Sequence, residues 1–151
     1  MLAPLLTIRV DVGPLVSLGD TPVGERRMIP FAGGTFSSDR GEPITGTVAP
    51  GGVDWQLVRS DGGLEIDAHY LLFTDREESI EVRSTGLRVA SPEVLAKLAA
   101  GTSVDPSEYY FRTHIRLSTS SERLDHLNRT LAVSFGEREQ HQVVIRVFEL
   151  L

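Results

Sequence analysis

Hydrophobic and polar residues alternate along much of the chain, and this period of two is typical of β-strands with one buried face. In the segment 64–73, one face carries Leu64, Ile66, Ala68, Tyr70 and Leu72, and the other carries Glu65, Asp67, His69, Leu71 and Phe73. The segment 109–117 has the same pattern. Further strands are predicted at 5–12, 26–32, 44–48, 53–59, 79–84, 131–137 and 142–149.

Turn residues separate these short strands. Gly33-Gly34, Pro50-Gly51-Gly52 and Ser60-Asp61-Gly62-Gly63 lie between predicted strands, and the last of them is a strong hairpin signal. Strands joined by short turns pair in antiparallel fashion, and many of them in succession form a barrel or a sandwich. We therefore expect a mainly β protein, a single antiparallel β-barrel with one or two short helices.

The helices are predicted after the segment 79–84 and after Ser121. Ser91 provides an N-cap, Pro92 suits the first helical position and Gly101 ends the helix, which predicts a helix over 92–100. A second helical turn or two is expected where Leu124, Leu127 and Leu131 recur at helical spacing. These leucines would pack on one end of the barrel.

Composition limits the possible partners. A chain of 151 residues is about the size of one domain, so 1–151 is expected to fold as one unit. Its net charge of −6 disfavours nucleic-acid binding, which needs clustered basic side chains. The N-terminal segment lacks a basic region and an apolar run of membrane length, which indicates a cytoplasmic protein without a membrane partner.

No standard catalytic or cofactor motif is present. The chain lacks the P-loop, dinucleotide-binding, zincin and nucleophile-elbow patterns, and it contains no cysteine. The four histidines at 69, 114, 126 and 141 are widely separated, which disfavours a metal site. We expect neither a metal nor another cofactor.

The two strands with alternating faces supply the candidate catalytic residues. Asp67 and His69 share one strand face with Leu71 and Phe73, and Tyr110 and Arg112 share the matching face of the segment 109–117. A solvent-exposed face explains the polar residues, whereas the aromatic residues among them are also typical of a ligand cavity. In the second interpretation Asp67 is the acid or base with His69 as partner, Tyr110 donates a hydrogen bond and Arg112 holds a carbonyl or carboxylate.

Other residues are candidates for substrate binding. Trp55 is either a core residue or the aromatic wall of a pocket, and Arg83 could bind a carboxylate with two hydrogen bonds. His114 continues the polar face of the segment 109–117. Asp54 follows a glycine-rich turn and is expected to fix that turn rather than to catalyse.

Short characteristic stretches occur in order along nearly the whole chain, at 26–30, 33–36, 50–56, 61–62, 64–70, 110–113, 127–129 and 136–138. As an ordered set they resemble the bacterial and fungal domain-of-unknown-function family three-two-three-seven. It implies an antiparallel β-barrel similar in outline to allene oxide cyclase and dirigent proteins. The family more often has arginine at the position of His69.

The resemblance and the two polar strand faces together predict a cofactor-independent isomerase or cyclase. Its substrate would be a small unsaturated or oxygenated organic molecule bound in the barrel cavity. One alternative is a carrier of a hydrophobic small molecule that does no chemistry. A further alternative is a structural subunit whose apolar outer surface forms a homo-oligomer.

Overall fold

The computed structural model describes residues 1–151 and shows a closed antiparallel β-barrel of eight strands with one short α-helix. The strand segments are β1 (Leu2–Val12), β2 (Val16–Thr21), β3 (Gly24–Ser38), β4 (Thr45–Val48), β5 (Val53–Val58), β6 (Leu64–Thr74), β7 (Ser79–Val89), β8 (Tyr110–Ser118), β9 (Leu131–Arg138) and β10 (Gln142–Leu150). Helix α1 spans Pro92–Ala99, and 3₁₀ turns occupy Pro106–Glu108 and Asp125–Arg129. The predicted fold class is confirmed.

Two of the barrel strands are interrupted, which explains why ten segments make eight strands. β1 and β2 pair in succession with β3, and β4 and β5 pair in succession with its other edge. The order around the barrel is then β1, β10, β9, β8, β7, β6, β4 with β5, and β3, and the pairing of β3 with β1 closes it.

Several strands are longer than predicted. β3 begins at Gly24, β7 continues to Val89 and β2 was not predicted at all, because its six residues are exposed and show no apolar face. Gly86 lies within β7 and does not end it. The strand passes so close to the backbone of β8 here that a Cβ on residue 86 would lie 2.0 Å from the carbonyl oxygen of Arg112, so only glycine fits. The helical turns predicted after Ser121 amount to the 3₁₀ turn.

The hairpin between β5 and β6 fixes which side chains point inward. Gly62 has a φ of 85°, which glycine adopts without strain, and the turn sets Val58 opposite Leu64. The same register sets Gln56 opposite Ile66 and Asp54 opposite Ala68. Directly opposed residues point to the same side of a sheet, so both polar side chains of β5 point into the barrel.

The two ends of the barrel differ. At one, called here the closed end, Ile44, Leu124 and Leu127 are buried in the core, with Glu78 and Arg123 beside them. At the other, called here the mouth, α1 lies over the ends of β5, β7 and β9 and leaves a pocket. The longest helix of the structure is α1, and no helix has the length and hydropathy needed to cross a membrane.

Candidate functional site

The structure places the predicted catalytic residues of β6 on the outer face of the barrel. His69 Nε2 lies 2.7 Å from Glu81 Oε2, and Arg83 Nη2 lies 3.6 Å from Asp67 Oδ1. All four side chains are about half exposed. Because the residues between them fill the core, alternation directs Asp67, His69 and Arg83 outward. Their expected position in a cavity is corrected.

The remaining predicted residues also lie on the outer face. The Arg112 guanidinium lies 4.3 Å from the centre of the Phe135 ring, and Tyr110 is more than half exposed. His114 Nε2 lies 2.7 Å from Thr85 Oγ1, and Trp55 is exposed rather than in the core. These residues border open surface depressions rather than the barrel interior. Their catalytic and binding roles stay predictions.

The space inside the barrel consists of a narrow lumen and a wider mouth pocket. The lumen measures about 40 Å³, enough for a few atoms, and the mouth pocket measures about 740 Å³. The second volume lies in the usual range for small-molecule sites. Both are lined by Val12, Ile29, Gln56, Arg88 and Arg138. These shared residues form a throat through which a bound molecule in the mouth contacts the lumen.

Asp54 is the acidic group of the lumen and is hydrogen-bonded to the throat residue Gln56. Gln56 Nε2 donates a hydrogen bond of 2.8 Å to Asp54 Oδ2, whereas Asp54 Oδ1 is buried and has no hydrogen-bond partner in the protein. Burial raises the pKa of Asp54 to about 6, against the lowering effects of the Gln56 hydrogen bond, the Asp67 backbone and the nearby Arg88 charge. The expectation that Asp54 fixes a turn is corrected, because its side chain points into the barrel.

Unpartnered polar atoms are concentrated at this site. Five buried side-chain atoms lack a hydrogen-bond partner in the protein: Arg27 Nε, Asp54 Oδ1, Gln56 Oε1, Arg88 Nε and Arg138 Nη1. All five belong to residues that line the lumen or the mouth pocket. Buried polar groups in native proteins are nearly always satisfied. Their collection at one place therefore marks a polar site whose partners are water or the polar groups of a ligand.

Arg88 and Arg138 supply positive charge to the throat. Neither guanidinium donates a hydrogen bond to the protein or forms a salt bridge, although the chain contains ten salt bridges elsewhere, each within 4.0 Å. Burial, together with the nearby charge of Arg138, lowers the pKa of Arg88 to about 10. Both arginines stay protonated near neutral pH, so they present cations to a bound molecule.

Hydroxyl groups continue the polar lining below the throat. Ser84 Oγ donates to Thr113 Oγ1 at 2.8 Å, and Thr113 Oγ1 lies 2.5 Å from Ser134 Oγ. All three residues are buried. Tyr70 also lines the lumen, and burial raises the pKa of its hydroxyl above the usual range. The lumen therefore has a polar side formed by β7, β8 and β9 opposite the apolar residues of β1 and β3.

The site contains an acid–base group and cations but no cluster of metal ligands. No three His, Cys, Asp or Glu side chains converge anywhere in the structure. Asp54 is the one carboxylate among the residues that line the lumen and the mouth pocket. Proton transfer and stabilisation of a developing negative charge are the chemistry that this arrangement supports.

The family model described as "Protein of unknown function (DUF3237)" matches residues 1–150 of the chain. The chain belongs to this family. A UPF0311 protein of Rhodopseudomonas palustris is 36% identical over 147 residues, which cover 97% of this chain and 94% of the relative. The resemblance inferred from the ordered short stretches is thus confirmed.

Solved structures of similar chains have the same barrel. A conserved protein of unknown function from Rhodopseudomonas palustris has a TM-score of 0.90 at 35% identity and covers 100% of this chain and 98% of its own. A β-barrel-like protein from Acinetobacter baumannii has a TM-score of 0.84 at 38% identity, with coverages of 100% and 96%. The DUF3237 barrel is therefore an experimentally observed fold.

A more distant neighbour is described as an enzyme from Penicillium herquei. It has a TM-score of 0.68 at 21% identity, and the alignment covers 97% of this chain and 93% of that one. At this identity the likeness shows a common fold only. The function of this DUF3237 member has to be argued from its own side chains.

Proposed function

We propose that this protein is a cofactor-independent isomerase or cyclase that relocates a proton in a small unsaturated or oxygenated organic molecule. The observation that supports the proposal most directly is the buried, unpartnered Oδ1 of Asp54, which lines the lumen next to the throat that opens into the mouth pocket of about 740 Å³. The Gln56 hydrogen bond holds the other carboxylate oxygen, so Oδ1 is the atom available to accept a proton.

The proposed reaction begins when Asp54 Oδ1 accepts a proton from a substrate carbon next to a carbonyl group or from a substrate hydroxyl. The electron pair of the broken bond moves towards the carbonyl oxygen or attacks an electrophilic carbon of the same molecule. The Arg88 and Arg138 guanidinium groups stabilise the negative charge that develops on oxygen. Asp54 then returns the proton at another position, so the substrate is isomerised without net oxidation or reduction.

The pKa of Asp54 suits both halves of this reaction. A general acid–base group works best when its pKa lies near the operating pH. An exposed aspartate is almost fully ionised at neutral pH and is a weak base, whereas burial raises the pKa of Asp54 to about 6. Proton abstraction is expected to increase with pH as Asp54 ionises, with a midpoint near 6.

Solvent proton exchange tests the proposal without knowledge of the natural substrate. The protein is incubated in D₂O with a panel of unsaturated ketones and hydroxyketones, and deuterium incorporation is followed by NMR and mass spectrometry. We expect incorporation above the buffer rate and a loss of roughly 100-fold or more in the Asp54→Asn variant. The matched control is Asp67→Asn, which removes an outward-facing carboxylate whose charge is the smallest contribution to the raised pKa of Asp54, so exchange should change by less than about 3-fold.

The carrier alternative predicts a different result for the same variants. A carrier binds panel compounds in the mouth pocket with similar affinity in the wild type and in Asp54→Asn, and neither form exchanges protons. Exchange that is equal in the wild type and Asp54→Asn contradicts the assignment of the base. Exchange that is lost only in Asp67→Asn favours the outer-face site.

A further inference from the structure

We infer that the substrate is an organic carboxylate whose charged group lies between Arg88 and Arg138 and whose apolar part packs beneath α1. The inference rests on the proposed function, because it assigns the substrate class of the same site. It goes beyond that function in identifying the group by which the substrate is bound, a carboxylate that shares the two guanidinium groups with the neighbouring oxygen on which charge develops.

The first observation is that the two guanidinium groups have no partner in the protein. Arg88 Nε and Arg138 Nη1 are buried without a hydrogen bond, and neither side chain forms a salt bridge. Other arginines of the chain are paired, such as Arg123 with Glu78 and Arg146 with Glu137. A buried N–H group without an acceptor is costly, and an anionic ligand that accepts from it removes that cost.

The second observation is the balance of charge in the throat. Arg88 and Arg138 repel each other, and Asp54 is the nearby carboxylate that opposes them. Arg27 also lines the mouth pocket, but its guanidinium is paired with Glu25 at 2.9 Å. One unit of positive charge therefore remains even when Asp54 is ionised. A monoanion neutralises this excess, whereas a neutral ligand leaves it in place.

The third observation is the geometry that arginine offers to its ligands. A guanidinium presents a planar set of N–H donors that matches the two oxygens of a carboxylate. The unpartnered Gln56 Oε1 is an acceptor and not a donor for the same group, so it suits a hydroxyl of the substrate instead. A hydroxylated carboxylic acid satisfies the guanidinium donors and this acceptor at once.

The fourth observation is the apolar wall of the mouth pocket. Leu95, Leu98 and Ala99 of α1 face Val58 and Leu64 of the β5–β6 hairpin across it. The lumen of about 40 Å³ is too small for a ring or an alkyl chain, whereas the pocket of about 740 Å³ is large enough. The carboxylate end of the ligand is thus directed towards the throat and the apolar end towards α1.

Calorimetric titration with a pair of probes of equal shape tests the inference. The probes are 4-phenylbutanoate and its uncharged amide, 4-phenylbutanamide, added to the whole protein. We expect the carboxylate to bind and to raise the melting temperature, and the amide to bind roughly 10-fold more weakly or worse. Equal affinity of the two probes, or no binding of the carboxylate, overturns the inference without any need for a variant.

Substitutions of the two arginines then test whether their positive charges bind the carboxylate. Arg88→Gln and Arg138→Gln should each weaken carboxylate binding by roughly 10- to 100-fold and leave amide binding unchanged. The matched control is Arg116→Gln, because Arg116 is an exposed arginine of β8 without an ion pair. Unchanged carboxylate binding in both throat variants overturns the inference. Inorganic phosphate is a third probe, and phosphate that binds more tightly than the carboxylate contradicts the choice of a carboxylate.

The same titration separates this inference from the proposed function. Asp54→Asn should still bind 4-phenylbutanoate, since it removes no positive charge, although it should no longer exchange protons. Carboxylate binding without proton exchange in the wild type upholds the inference and contradicts the catalytic proposal. Proton exchange confined to uncharged compounds upholds the catalytic proposal and contradicts the inference.

Discussion

The two ends of the barrel treat their charged side chains in opposite ways. At the closed end, Glu78 accepts hydrogen bonds from Arg123, Ser121 and Thr74, and Arg123 also pairs with Glu42 at 3.1 Å. At the mouth, Asp54, Gln56 and the throat arginines keep buried atoms without partners. The same closed sheet therefore ends in a satisfied polar network on one side and an unsatisfied one on the other.

This difference separates stability from function within one fold. The closed end has buried leucines and a carboxylate whose pKa is lowered to about 2, mainly by the hydrogen bond from Arg123. The mouth has a carboxylate whose pKa is raised to about 6 by burial. A lowered pKa of an acid favours the folded state at neutral pH, and a raised one opposes it. The mouth therefore retains a destabilising group, as functional sites often do.

The largest expected effect comes from truncating a leucine at each end. Leu127 is 1% exposed, so Leu127→Ala leaves a cavity in the closed end and should lower the free energy of unfolding by roughly 2–5 kcal/mol. The matched variant is Leu95→Ala, which shortens a half-buried side chain on the wall of an open pocket. We expect it to cost less than about 1.5 kcal/mol. Urea denaturation measures both, and equal losses contradict the division of roles.

The next effect is a gain of stability at the mouth. Asp54→Asn removes a carboxyl whose pKa is about 6 in the folded chain, against an ordinary value of 3.8. The variant should exceed the wild type by up to about 3 kcal/mol in free energy of unfolding above pH 6. Below pH 3.8 the wild-type carboxyl is protonated in both states, so the difference should disappear.

Urea denaturation at several pH values measures this gain. The groups around the carboxyl are Asp67 and Tyr70 of β6, Arg88 of β7 and Arg138 of β9. The control Asp67→Asn removes a carboxylate that is half exposed and should change stability by less than about 1 kcal/mol. A loss of stability in Asp54→Asn at pH 8 indicates that the carboxylate is satisfied in the folded protein.

The opposite dependence on pH is expected for the closed end. Glu78→Gln removes a carboxylate whose pKa falls from 4.5 to about 2 on folding. The melting temperature of the variant should lie below that of the wild type at neutral pH. The stabilising effect of Glu78 is complete above pH 4.5 and is lost as the pH falls towards 2, so the two melting temperatures should converge there. Parallel curves across this range contradict the proposed network.

The sequence was sufficient to predict the class of fold. Alternation over 64–73 and 109–117 predicts two strands with distinct faces, but it does not reveal which face points inward; in the structure the apolar faces of β6 and β8 are buried. The turn residues indicate antiparallel pairing, which all strand pairs show. β2 was missed because a wholly exposed strand has no hydrophobic period to detect.

The inward residues of β5 were not predicted because its polarity is reversed. Trp55 and Leu57 suggest a core face by hydrophobicity, but Asp54 and Gln56 point inward. The hairpin turn did contain the necessary signal. With Val58 opposite Leu64, counting back along the two strands sets Asp54 opposite the buried Ala68. The prediction for β5 relied on the hydrophobicity of its side chains, whereas the strand register would have given the correct inward face.

The throat arginines were missed for a different reason. Predicted strands ended at 84 and 137, whereas β7 ends at Val89 and β9 at Arg138. Continuing the inward alternation of Ser84 and Ser134 by four residues reaches Arg88 and Arg138. Strand ends are difficult to predict where glycine or charge weakens the pattern. Those same ends form the mouth.

The smallest expected effects are on the outer face, where the predicted catalytic residues lie. His69→Gln and Arg112→Gln each remove a partly exposed side chain, and each should change the free energy of unfolding by less than about 1 kcal/mol. Neither side chain contacts the lumen or the mouth pocket. Proton exchange and binding of 4-phenylbutanoate should therefore equal the wild type within error in both variants. A 10-fold loss of exchange in either one would return the active site to the outer face, because these side chains lie on the opposite side of the sheet from Asp54.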